Sequence, residues 1–186
     1  LVGVTALIFV ARGDVWGQLL TVIFSLLYSV TSWRFHYYGE IITYLGMSAP
    51  IAAASAITWM KHPYKKGENE VKIARLSRHR ALLLSLLTAA VTVAFYFILK
   101  TLGTANLAVS TLSVATSFLA SSLMLLRSSY YAVAYAANDI VLIVLWILAS
   151  LKDITYLPMV ANFLVFLVND IYGFWSWSRR EKKQAK

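Results

Sequence analysis

Cysteine is absent from the 186 residues, and only 13% of positions carry a charge. Without cysteine there is no disulfide framework and no thiolate metal site, so the redox compartment leaves no mark on the chain. A water-soluble domain usually carries about 25% charged residues; at 13%, with 60% hydrophobic residues and a mean hydropathy of +0.69, this chain belongs in a bilayer. A phosphate-binding loop, paired metal ligands and a serine, histidine and aspartate set are likewise missing from the apolar stretches, so ATP-driven transport and hydrolysis lack their parts. His62 and His79 show no metal-ligand spacing, and no cofactor is expected. The net charge of +9 is confined largely to two basic runs separated by long apolar stretches. That pattern reads as membrane orientation rather than as a nucleic-acid surface.

Apolar runs are what the chain has instead. A spanning helix needs roughly 20 apolar residues, because its backbone groups must be satisfied within the segment. Residues 15–33, 41–60, 81–99 and 105–126 reach that length without one charged side chain, while 128–151 and 154–178 each carry a single Asp. Residues 1–11 form a short seventh run, read as a helix whose start is missing rather than a signal-peptide core, since no basic residues precede it. Seven spans place fourteen of the 17 Lys and Arg residues on one side and leave Arg34, Lys100 and Lys152 on the other. Cytoplasmic loops collect such cations, so the expected N-terminus is outside and the C-terminus inside.

An internal repeat is suggested by Arg12 with Trp59 and Arg127 with Trp175, which end units of similar length. Two parallel three-helix units, joined by the fourth span, would hold a substrate near mid-membrane between them. The expected division is a first bundle over 1–62, a cytoplasmic loop and linking helix over 63–103, a second bundle over 104–180 and a basic tail over 181–186.

Polar residues inside the spans point to such a substrate. An ionisable side chain at a helix centre costs at least ~2.5 kcal/mol and usually faces a cavity or a partner. Asp139 is central in its span, beside Asn138, and Tyr131, Tyr135, Asn138, Leu142 and Trp146 share one helical face. In the last span Asn162, Phe166, Asn169 and Gly173 share a face, with Tyr172 near its end. Gln18, Tyr28 and Tyr44 are candidates from the first unit. Asp170 is assigned either to substrate or to a cation such as Arg179 or Arg127. Trp16, Trp33, Trp59, Trp175 and Trp177 lie near span ends, where aromatic belts form. The loop "KHPYKKGENEVKIARLSRHR" reads as an orientation signal that meets anionic lipid. Amides and tyrosines suit sugar hydroxyls or a carboxamide, and aromatic faces suit a flat, cationic ring. A phosphorylated substrate would find no Lys or Arg inside any span.

The segments "SSYYAVAYAANDIVLIVLW", "FLVNDIYGFWSWSRREKKQ" and "YYGEIITYLGMSAPI" resemble the PnuC family of bacterial vitamin transporters, most closely its nicotinamide riboside members. The resemblance implies an all-α membrane protein with a SWEET-like 3+1+3 arrangement of seven transmembrane helices in the bacterial inner membrane. It also implies facilitated diffusion of nicotinamide riboside, a cytoplasmic riboside kinase that traps it by phosphorylation, and a homotrimer. The family's site maps onto Asn138, Trp146, Asn162, Asn169 and Tyr172. Thiamine or riboflavin is the rival substrate within the family; a receptor or assembly protein without transport activity is the rival outside it.

Overall fold

A computed structural model of the chain describes residues 2–34 and 38–185, with side chains at 2–30 and 41–185. Trp33 and Arg34, expected in the aromatic belt and on the outer side, and Lys186 of the basic tail fall outside the described side chains. Among the described residues there are seven helices: α1 (Val2–Ala11), α2 (Val15–Arg34), α3 (Tyr38–Thr43, a π-helical turn Tyr44–Ser48, then Ala49–Lys61), α4 (Arg78–Thr101), α5 (Leu107–Leu125), α6 (Tyr131–Ser150) and α7 (Leu157–Gln184). Five are long and apolar enough to cross a bilayer; α1 and α2 contribute the shorter apolar stretches Val2–Ala11 and Val15–Val30.

Six helices close a ring. Going round it, α1 packs on α2, α2 on α3, α3 on α5, α5 on α6, α6 on α7 and α7 back on α1, while α4 lies outside against α5. Small residues allow the closest approach: a Cβ on Gly17 would sit 2.5 Å from the backbone nitrogen of Val10, so only glycine lets α2 reach α1 there. α4 buries only Leu84 and Leu99 and turns Leu82, Leu86, Val93 and Phe97 outward, as a lipid-facing helix would.

Local chemistry fixes the ends. Ser77 caps α4 by accepting from Arg80 N–H at 3.3 Å. Before α7, Thr155 donates its backbone N–H and hydroxyl to Asp153 at 2.9 and 2.7 Å, which holds that carboxyl below its usual range. The π turn in α3 precedes Pro50, which cannot donate to the carbonyl of Gly46 and crowds it. The ladder widens there, and Ala49 N–H reaches back to Tyr44 O.

The turns after α1 and α5 are copies of each other. Gly13 and Arg127 both adopt positive φ, at 72° and 59°. Asp14 N–H then bonds Phe9 O, and Ser128 N–H bonds Leu123 O, each at 3.0 Å. The repetition therefore registers Gly13, not Arg12, with Arg127. Just before each turn a carbonyl accepts an indole from the neighbouring helix of the ring: Trp177 Nε1 donates to Val10 O at 2.9 Å and Trp59 Nε1 to Met124 O at 3.2 Å. Trp59 and Trp177 are fully buried, so neither belongs to an interfacial belt, and the partner of Trp59 is Trp177 rather than Trp175. Trp16 and Trp175 do face outward.

The basic loop is held by protein as well as by charge. Gln184 accepts from Ile73 N–H at 2.8 Å and donates to Val71 O at 3.1 Å, Arg180 pairs with Glu70, and Arg127 donates to Lys72 O at 3.1 Å. Burial, then the neighbouring Arg80 charge, lowers the pKa of Arg127. α7 runs unbroken through 181–184, so the start of the tail is helical and docked.

Candidate functional site

Two cavities lie inside the ring, with six residues common to both walls: Tyr44, Ser48, Ser117, Asn138, Leu142 and Phe163. The larger, about 380 Å³, reaches toward the α4–α5 turn at Thr104 and Asn106, at the end opposite the basic loop. The smaller, about 110 Å³, reaches toward Val10, Gln18, Met124 and Tyr131 at the basic end. Beyond it Trp177 stacks edgewise on Tyr131 at 4.7 Å and meets Trp59 at 5.4 Å, which closes that end.

The waist falls where the backbone departs from regular helix. Tyr44 and Ser48 begin and end the π turn, and such turns often redirect side chains at functional sites. Opposite them, Asn138 Oδ1 accepts from Thr116 Oγ1 at 2.8 Å, which leaves its amide nitrogen for the cavities it lines. Tyr135 is held by Ser121 at 2.8 Å. Trp146 lines the larger cavity, stacks near Tyr156 at 5.6 Å, and its buried Nε1 has no acceptor among the described residues.

Asp139 and Asp170 both line the smaller cavity. Both are buried, their side chains are hydrogen-bonding neighbours, and Asn169 bonds Asp170 from behind. Asp170 therefore pairs with neither candidate cation: Arg179 lies 4.7 Å over the Trp175 ring, and Arg127 is engaged by the loop. Gln18 donates to Met124 Sδ at 2.7 Å, while its Oε1 and the hydroxyls of Ser25 and Ser55 are buried with no partner among the described residues.

The expected site residues thus divide. Asn138, Asp139, Trp146, Tyr135, Gln18 and Tyr44 line the cavities. Tyr28 stands behind Tyr44, with ring centroids 4.4 Å apart. Asn169 lines neither cavity but bonds Asp170, and Asn162 lines neither cavity. Tyr172 is 48% exposed beside Trp175, on the outer surface of the ring. The inward face of α7 carries Phe163, Phe166, Asp170 and Gly173, one position round from the face read through Asn169. Ser25 and Ser55 are absent from the expected set, and of the two alternatives given for Asp170 the cation partner is the one the structure does not show. The spacing of Asp170 at four residues from Phe166 was the available clue.

A pathway of this form invites comparison with known proteins. Residues 1–179 match the family model described as nicotinamide mononucleotide transporter. The chain belongs to that family. It is similar to the nicotinamide riboside transporter PnuC of Neisseria mucosa, 28% identical over 98% of this chain and 71% of that protein. The Haemophilus influenzae protein of the same name is 23% identical over 97% of this chain and 77% of its own length. A crystal structure of the vitamin B3 transporter PnuC superposes with a TM-score of 0.82 at 26% identity, over 98% of this chain and 80% of the other. The molecule is therefore a multi-pass, all-helical membrane protein of a vitamin-transporter family.

Proposed function

We propose that this chain imports nicotinamide riboside by facilitated diffusion. The family description names the mononucleotide, and the relatives are named for the riboside. One observation favours the riboside: among the described residues no Lys, Arg or His lines either cavity, whereas Asp139 and Asp170 line the smaller one. A phosphate dianion approaching two buried acids without a resident cation is opposed electrostatically; a pyridinium ring is not. Asn138, Gln18 and the serines offer hydrogen bonds for ribose and carboxamide, and Tyr44, Tyr135 and Trp146 offer ring faces.

In this reading the SWEET-like halves are α1–α3 and α5–α7, with α4 as the link. They rock about the waist at Asn138, so that the guest passes from the outer to the inner cavity. The matched ring contacts and matched turns support two such units. The basic loop and tail face the cytoplasm and the N-terminus lies outside the inner membrane. A cytoplasmic riboside kinase then traps the product, because a phosphorylated guest no longer suits the acidic chamber. Titration calorimetry in detergent tests the specificity. Saturable binding of nicotinamide riboside, with nicotinamide mononucleotide, thiamine and riboflavin at least tenfold weaker, is expected. Equal or tighter binding of the mononucleotide would overturn it.

A further inference from the structure

The smaller cavity holds an excess of acceptors. Asp139 Oδ2 and Gln18 Oε1 are buried acceptors with no donor among the described residues, and one of the two Gln18 amide N–H groups is taken by Met124 Sδ. Ser25 and Ser55 add two unpartnered hydroxyls on the same wall. An anionic guest would find neutral donors there but no cation among the described lining residues. A cationic guest would complete the set.

The two acids are matched to a single positive charge. Carboxylates only accept, so the contact between the Asp139 and Asp170 side chains needs one proton between them. With that proton held, the pair carries one negative charge. Among the described residues every other group lining the chamber is neutral, including Tyr131 and Tyr135 from α6, Gln18 and Ser25 from α2, Ser55 from α3 and Phe166 from α7, and none of them offsets the charge. We propose that Asp139 and Asp170, bridged by one proton, form a monovalent counter-ion that makes this transporter select a cationic pyridinium ring over its neutral counterpart. The proposal deepens the riboside reading and rests on it for the identity of the guest, though not for the charge preference.

Two matched probe pairs test it by affinity in detergent: nicotinamide riboside against its neutral dihydro form, and N-methylnicotinamide against nicotinamide. The wild type is expected to favour the cation at least tenfold in each pair that binds. Asp139→Asn and Asp170→Asn should each bring that ratio below threefold by weakening the cation, with the neutral member unchanged. A merely structural role would weaken both members together, and that result overturns the proposal, as does a ratio near one in the wild type. Preference for N-methylnicotinamide with no binding of either riboside would sustain the counter-ion and remove the riboside reading instead.

Discussion

Trp59 and Trp177 meet at 5.4 Å between ring centroids, and each sends its indole N–H to a helix-end carbonyl of the next helix round the ring, Met124 and Val10 respectively. The third and last helices thus latch the first and fifth. Any motion that opens the basic end must separate these rings and break both bonds. The latch is a seal because it is bistable: a buried indole either keeps its acceptor or leaves it unpaired.

Removing one half of that latch is expected to be costly. Trp177→Ala should lower stability in detergent by about 3 kcal/mol or more, the usual range for emptying a buried aromatic site. Trp177→Phe keeps most of the ring and loses the bond to Val10 O, so a loss of about 1 kcal/mol is expected. Melting temperatures of the two variants check the order; equal values would show that the hydrogen bond, not the ring, holds the seal.

Gly17 sets the distance between α1 and α2. A Cβ there meets Val10 N at 2.5 Å and Ala6 O at 3.0 Å, both backbone atoms that cannot step aside. Gly17→Val should reduce the folded yield on size exclusion several-fold, and Gly46→Ala, where a Cβ meets nothing within 4 Å, should not. Equal yields would contradict the packing.

The loop over the basic end depends on Gln184, which bonds both Ile73 N and Val71 O. Gln184→Ala is expected to speed tryptic cleavage at Lys65, Lys66 and Lys72 several-fold while leaving the helical circular dichroism intact. Unchanged cleavage would mean the loop is held elsewhere.

Binding variants separate the residues that line the pathway from those outside it. Asn138→Ala and Trp146→Ala should each weaken nicotinamide riboside at least tenfold, and Tyr172→Ala, on the outer surface, less than twofold. The reverse order in calorimetry would move the site to the outer face of α7.

Much of this was open to inspection in the chain, for physical reasons. Apolar runs with at most one charge announce helices because lipid supplies no hydrogen bonds, and seven helices appear among the described residues, five of them long and apolar enough to cross a bilayer. The face of α6 from Tyr131 to Trp146 was readable because its polar and aromatic side chains recur at helical steps. On α7 the polar residues Asn169 and Asp170 are adjacent, so composition could not say which of two faces, about 100° apart, points inward. Ser25 and Ser55 carry no mark at all, since a serine in a membrane helix commonly bonds back to its own helix, as Ser29 does to Ser25 O at 2.7 Å. The π turn was hidden because the effect of Pro50 is felt one turn earlier, at Tyr44–Ser48. Trp177 was misjudged because end-of-span tryptophans look alike until a partner helix covers one of them.

The central claim is passive import, and it is tested most directly by uptake of labelled nicotinamide riboside into liposomes that contain only this protein, without ATP or an ion gradient. Uptake should rise to equal concentrations inside and out and stop there, with nicotinamide mononucleotide excluded. Uptake no faster than in protein-free liposomes, or accumulation that appears only when a proton or sodium gradient is imposed, would contradict the account.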